Sequence, residues 1–310
     1  LKRYNSISEI PLLSGIDAEW GAAMRLDSVQ NFPWMMTLGA IQDDDLIYDF
    51  GVQVAEQLNQ LGLHVNFAPV VDINNNPLNP IIDRRSFGSD KKLVASKGLS
   101  YMNALQDNRV LACAKHFPGH GDTDTDSHKS LPVIYHDYTR LDSVELFPFK
   151  KLINQGLGAI MMAHINLPNI DTSGVPSSFS HHLIGDILKK EIGFQGLVIS
   201  DALNMNALSN YKISGERELN AFLAGNDVLL YPDKIKEAIN LIKSSIESNE
   251  YLEKSLDYSC KQILMIKKWT GLIDLDLNFE NQIDLESHES GFLNEELSKN
   301  AITLLKNNSI

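Results

Sequence analysis

Short apolar runs rich in Val, Ile and Leu alternate along this chain with longer segments in which apolar residues return every three or four positions. The short runs, "PLLSGI", "LHVNFAPV", "VLACAKHF", "LGAIMMAH", "GLVIS" and "DVLLYP", have the length and β-branched content of strands buried on both faces. Between them, "DDLIYDFGVQVAEQLNQLG" places Ile47, Phe50, Val54, Ala55, Leu58 and Leu61 on one helical stripe. Further helices are predicted near 91–107, 142–155, 181–192, 215–224 and 233–248. The pattern predicts at least six βα units around a parallel sheet.

Polar groups stand where these strands run out: Asp17, Asp72, the Lys115–His116 pair, His164 and Asp201. Chemistry gathered at the C-terminal ends of several strands is the mark of a (β/α)8 TIM-type barrel. A doubly wound sheet would usually carry a Gly-rich phosphate loop after its first strand, and neither GxGxxG nor GxxxxGK[ST] occurs. The expectation is an α/β chain with a catalytic barrel over residues 1–250, its first strand lying upstream of residue 1. Residues 251–310, opening with the amphipathic "YLEKSLDYSCKQILMIKKWTGL", read as a helical extension leading towards a second domain.

Composition narrows the ligand. A chain of 310 residues with 43% hydrophobic content can bury a full core. A net charge of -13 with no Lys/Arg cluster excludes nucleic acid as the main partner and favours a small neutral or cationic ligand. No apolar run is long enough to span a membrane. The two cysteines, Cys113 and Cys260, form no metal-binding pattern and read as structural thiols. His64 reads as a core histidine, His181 and His182 as the start of a capped helix, and Asp43–Asp45 as favourable charge at a helix N-terminus.

The densest chemistry is "AKHFPGHGDTDTDSHKSLP", residues 114–132. A calcium loop counted from Asp122 fails, since its Gly and Glu positions hold Ser127 and Val133. His116, His120, Asp122, Asp126 and His128 offer enough ligands for a catalytic metal, but Pro118, Gly119 and Gly121 break the helix that would align His116 with His120. An acid–base device is preferred: Asp126 and His128, two apart in an extended loop, point the same way, so the carboxylate fixes the imidazole tautomer. A metal site and a merely structural polar loop stand as the alternatives. Gly119 and Gly121 are expected to let the loop move.

With its spacing, "KHFPGHGDTDTDSHKSLP" resembles the signature of the β-N-acetylglucosaminidase branch of glycoside hydrolase family 3, KH(F/I)PGxGxxxxD(S/T)H. "FAPVVDI" before "RRSFGSD", then "AIMMAH" and "GFQGLVISDALNM", support the likeness in family order. It implies a barrel and a retaining enzyme that removes terminal, non-reducing β-linked GlcNAc, with peptidoglycan-derived muropeptides as its substrates. It implies Asp201 as nucleophile, His128 as acid/base and Asp126 as its dyad partner. Asp17, Arg85, Lys115 and His116 would bind the sugar, with His164 and Met205 nearby. Neither metal nor other cofactor is implied, and the partners are a carbohydrate and a C-terminal domain. The longer, two-domain relatives point to a periplasmic or exported protein, the single-domain ones to the cytoplasm.

Two departures stand out. The first rim segment reads "DAEWGAAMR" where relatives have D-Q-E-G-G-R, placing Trp20 beside Glu19 and moving the arginine to Arg25. Ala202 follows Asp201 where relatives repeat the acid. A β-N-acetylglucosaminide phosphorylase and a metal-dependent barrel hydrolase remain the alternative activities.

Overall fold

Five of the six predicted strands pair in parallel, in the order in which they occur along the chain: β1 (Gly15–Ile16), β2 (Val65–Asn66), β3 (Leu111–Phe117), β4 (Ala159–Met162) and β5 (Leu197–Ser200). The computed structural model describes residues 2–125, 127, 130–247, 249–273, 284–285 and 287–304. Sequential order without reversal is singly wound: each crossover advances in one direction, so the sheet curls and the crossover helices share its outer face. No topological switch point of the doubly wound kind arises.

The parallel α/β expectation is met, and a fully closed barrel is not shown by the described residues. "DVLLYP" supplies a single bridge, Val228 beside Ile199, and no regular strand; the Leu230 amide is bound by the Ser200 hydroxyl at 3.0 Å rather than by a backbone carbonyl. The described residues therefore form a curled parallel α/β sheet, without closure into eight strands.

Alternation along the strands sorts the core into two faces. Val65, Leu111, Cys113, Ala159, Met161, Leu197 and Ile199 form the inner cluster. Ala112, Ala114, Ile160, Met162 and Val198 point outward into the larger cluster shared with the helices. Ile263, Ile266 and Trp269 from the helix Glu250–Trp269 pack against the inner cluster, so this part of the predicted extension contributes to the sheet's own core.

Caps set the helix boundaries. Asp43 accepts from the Asp45 amide to start Asp44–Gln60, and Asp90 accepts from the Lys92 and Leu93 amides to start Lys91–Asp107. The helix expected over 142–155 is instead two, Tyr138–Ser143 and Leu146–Ile153. Pro148 lacks the N–H a continuous helix would need there but is tolerated in a first turn. The Ser180 hydroxyl accepts from the Leu183 amide at 3.1 Å ahead of the π-helical segment His182–Glu191. The remaining longer helices are Glu216–Ala224, Ile235–Glu247 and His288–Asn300.

Candidate active site

The strand period of two carries apolar inward positions directly into the rim chemistry. Leu13 and Gly15 lead to Asp17, Leu111 and Cys113 to Lys115, and Leu197 and Ile199 to Asp201. These groups open on a cleft of about 460 Å³ whose lining includes Asp17, Glu19, Arg25, Arg85, Lys115, His116, Asp201 and Met205. His116 is out of phase with Lys115, yet both line the cleft, because the β3–β4 register shifts between Ala114 and Phe117. The Lys115–His116 peptide bond is cis.

The first wall is an ion-pair network. Lys115 Nζ lies 2.9 Å from Asp17 Oδ1 and 2.8 Å from Glu19 Oε1. Arg85 grips Glu19 with two nitrogens, Nη2 at 2.7 Å from Oε1 and Nε at 3.0 Å from Oε2, while Arg25 Nη2 holds Asp17 Oδ2 at 2.8 Å. Burial would raise the pKa of both carboxyls, but Lys115 with Arg25 outweighs it at Asp17, and Lys115 with Arg85 at Glu19. Glu19 is held well below the usual carboxylate range. Burial would likewise lower Lys115, yet Glu19 and Asp17 raise it, so the ammonium stays charged with its side chain 2% exposed. Beneath the wall, Asn66 clamps Ala18: its Oδ1 accepts from the Ala18 amide at 3.1 Å and its Nδ2 donates to the Ala18 carbonyl at 3.0 Å. The Tyr101 hydroxyl donates to that carbonyl as well, at 3.0 Å.

Asp72, fully buried, organises the second wall. Its carboxylate accepts from the His116 amide at 3.1 Å and the His120 amide at 2.6 Å, and faces His116 Nδ1 at 2.7 Å. Burial pushes its pKa up, and His116 and His120 pull it below its ordinary value. An ionised Asp72 accepts the Nδ1 hydrogen, turning His116 Nε2 towards Arg85 Nη2 at 3.4 Å.

Asp201 closes the cleft. Burial pushes its carboxyl up, but the imidazoles of His116 and His164, the Ala202 amide and Lys115 hold it below the usual value, so it is a carboxylate at neutral pH. Its Oδ1 accepts from the Ala202 amide at 2.8 Å. His164 is fully buried and lies outside the cleft lining. Its Nε2 is 3.1 Å from the Ala202 carbonyl and its Nδ1 2.6 Å from Ser178 Oγ. Since a carbonyl only accepts, Nε2 carries the hydrogen, and His164 steadies the turn behind Asp201.

Asp17, Arg85, Lys115, His116, Met205 and Asp201 are thus brought together, whereas Asp126 and His128 lie outside the described residues. Arg25 and Glu19 are the members to which sequence patterning gave no role, and Asp72, legible there as a strand-end polar group, gains its role only from its contacts with His116 and His120. Glu19 has a signal, two residues from Asp17 on the same rim; Arg25 reaches Asp17 only through the turn at Ala22–Met24. Trp20 packs on Trp34 with ring centroids 4.1 Å apart and is not in the cleft lining.

The described members of the histidine-rich string do not converge on one point. Ring nitrogens of His116 and His120 face Asp72, Thr123 and Ser127, while Asp122 pairs with His136 Nε2 at 2.6 Å. Asp122, His136 and Glu145 do lie within ligand reach of one another, with the Arg140 guanidinium 2.9 Å from Glu145 and 3.9 Å from Asp122.

A singly wound parallel α/β sheet with ionisable groups converging at its C-terminal rim is the arrangement of an α/β enzyme domain. The chain belongs to glycosyl hydrolase family 3: the pattern of the family's N-terminal domain matches residues 2–266. It is 33% identical to β-hexosaminidase A of Pseudoalteromonas piscicida, over 98% of this chain and 55% of that protein. Identity to a β-hexosaminidase of Nitrosomonas eutropha is 35%, over 75% of this chain and 69% of the relative. Among solved structures, a family 3 β-N-acetylglucosaminidase from a Paenibacillus species superposes with a TM-score of 0.89 and 37% identity, over 97% of this chain and 58% of that one. The chain therefore spans little more than half the length of two of these relatives.

Proposed function

We propose that this chain is the catalytic unit of a retaining β-N-acetylglucosaminidase acting on terminal, non-reducing β-linked GlcNAc. The observation that carries the reading is Asp201, ionised at the end of β5 and sharing one cleft with the Asp17–Glu19–Arg25–Arg85–Lys115 network. That network presents charged donors and acceptors suited to sugar hydroxyls, and its nearby positive charge keeps Asp201 a nucleophile.

In the first step Asp201 forms a bond to the anomeric carbon as the glycosidic C–O bond breaks, and the leaving oxygen takes a proton from His128. In the second, His128 takes a proton from water, which attacks the glycosyl ester and restores Asp201 with net retention. Asp126 sets the tautomer of His128. Both roles rest on the D(S/T)H signature. A muropeptide as the source of the GlcNAc rests on the same resemblance.

Asp201→Ala should abolish turnover. His128→Ala should lose about a hundredfold or more on N-acetylglucosaminides with poor leaving groups and much less on activated aryl glycosides. Equal losses across the leaving-group series would sink the acid/base assignment. Product analysis in phosphate buffer separates hydrolysis from phosphorolysis: free GlcNAc supports this reading, and a sugar phosphate replaces it with the phosphorylase.

A further inference from the structure

His120 lies in the cleft lining with both ring nitrogens engaged. Nδ1 is 2.7 Å from Thr123 Oγ1 and Nε2 is 3.2 Å from Ser127 Oγ. The Thr123 hydroxyl hydrogen is already given to the His120 carbonyl at 3.0 Å, and Asn79 Nδ2 donates to the same threonine oxygen at 3.2 Å. Thr123 Oγ1 therefore accepts from the ring, so Nδ1 carries the hydrogen and Nε2 accepts from the Ser127 hydroxyl. Burial, with His116 alongside, lowers the imidazole pKa to about 4, so this neutral tautomer holds at neutral pH.

The scaffold around the ring is rigid at both ends. The His120 amide donates to Asp72, and its carbonyl accepts from Asn79 Nδ2 at 2.7 Å. Ser127 is 3% exposed, and its carbonyl accepts from the Ala207 amide at 3.2 Å. Ala207 belongs to the short turn Asn206–Leu208 that follows Asp201. Ser127 is also the residue between Asp126 and His128, one peptide bond from each.

We infer that His120 is a positioning residue for the acid/base pair. Its Nε2, acting through the Ser127 hydroxyl, ties the backbone between Asp126 and His128 to the same buried Asp72 scaffold that orients His116. This rests on the acid/base reading of Asp126 and His128 given above. Losing the ring acceptor leaves a buried hydroxyl unsatisfied and frees the segment at its centre, which should be felt most where proton donation limits the rate.

The ring's two nitrogens permit a discriminating test. His120→Asn places an amide near the former Nδ1, towards Thr123, and falls short of Ser127. His120→Gln reaches the former Nε2 position, and Ser127→Ala removes the hydroxyl while leaving His120 in place. Steady-state kinetics over aryl N-acetylglucosaminides of graded leaving-group ability, run beside wild type and His128→Ala, give the readout. We expect kcat/KM of His120→Asn and Ser127→Ala to fall about tenfold to a hundredfold further for the poorest than for the most activated leaving group. His120→Gln should recover most of that difference. Equal losses across the series, or none, while His128→Ala remains steep, overturn the positioning role and leave the proposed function standing. A flat response of His128→Ala itself overturns the acid/base assignment and this inference with it. Ser127→Ala, the smallest change, keeps the test decisive if the His120 variants fail to fold.

Discussion

Lys115 shows how much one side chain decides here. It is the only cation that touches both Asp17 and Glu19 among the described residues, and its ammonium is buried with Glu19. Removing one partner of a buried charge pair leaves the other uncompensated, a larger cost than the pair's own net worth. Lys115→Met should therefore cost about 3 kcal/mol in urea unfolding, at the low end of the range because Arg85 still holds Glu19. Arg25→Met removes an ion pair whose arginine side chain is 48% exposed, and should cost about 1 kcal/mol or less. Equal costs for the two substitutions would contradict the burial argument. Asp72 has the complementary role: one buried carboxylate collects two backbone amides and an imidazole, joining the loop after β2 to the strand that carries Lys115.

At the scale of the element, the loop after β3 is defined by close packing. Gly119 and Gly121 are expected from the sequence to confer movement, and the structure assigns them tighter duties. A Cβ on Gly121 would stand 1.8 Å from the Ile73 carbonyl oxygen, which is backbone and cannot yield easily. Gly119 has a φ of +126°, and a Cβ there would meet Glu145 Cβ at 2.8 Å. Gly121→Ala should thus destabilise by about 3 kcal/mol or more and depress turnover through the displaced loop. Gly156→Ala offers the contrast. Its φ is +86° with nothing within 4 Å of the added atom, so only the left-handed backbone is penalised, by about 1 kcal/mol. Chemical unfolding of the pair checks this; similar losses would mean that steric approach at Ile73 is not what Gly121 serves.

At the scale of the molecule, the buried charges set how stability responds to pH. Asp17, Asp72 and Asp201 titrate below their ordinary values when folded, so their contribution is present above the unfolded carboxyl range and lost as pH falls from there through their lower folded values. His120 has the same sign: its folded pKa of about 4 lies below the ordinary imidazole value of 6.5, so the fold favours the neutral ring and stability declines as pH falls between those values. His64 and His164, also lowered by burial, add to that limb. Lys115 is raised, so its contribution is lost only as pH rises past its unfolded value. Stability should be level near neutrality and begin to fall below about pH 6.5, with His120 alone costing on the order of 3 kcal/mol by pH 4. Urea titrations at pH 7, 5.5 and 4 measure it. No change between pH 7 and 4 would contradict the buried neutral histidine, and His120→Gln should flatten this limb.

The sequence by itself determined the order of elements and the residues at each strand end. Apolar alternation is a local property, and it places Asp17, Lys115 and Asp201 in phase with the inward positions of their own strands. The D(S/T)H spacing likewise carries the resemblance without any fold. What only the tertiary structure decided are relations between residues far apart in the chain. The register shift that turns His116 into the cleft depends on pairing with β4. His164 occupies a buried place behind Asp201 instead of the cleft lining, Arg25 joins Asp17, and Asp72 gathers His116 and His120. Periodicity records which side of an element faces inward; which distant groups meet there depends on how the sheet curls, and that is settled by packing across the whole core.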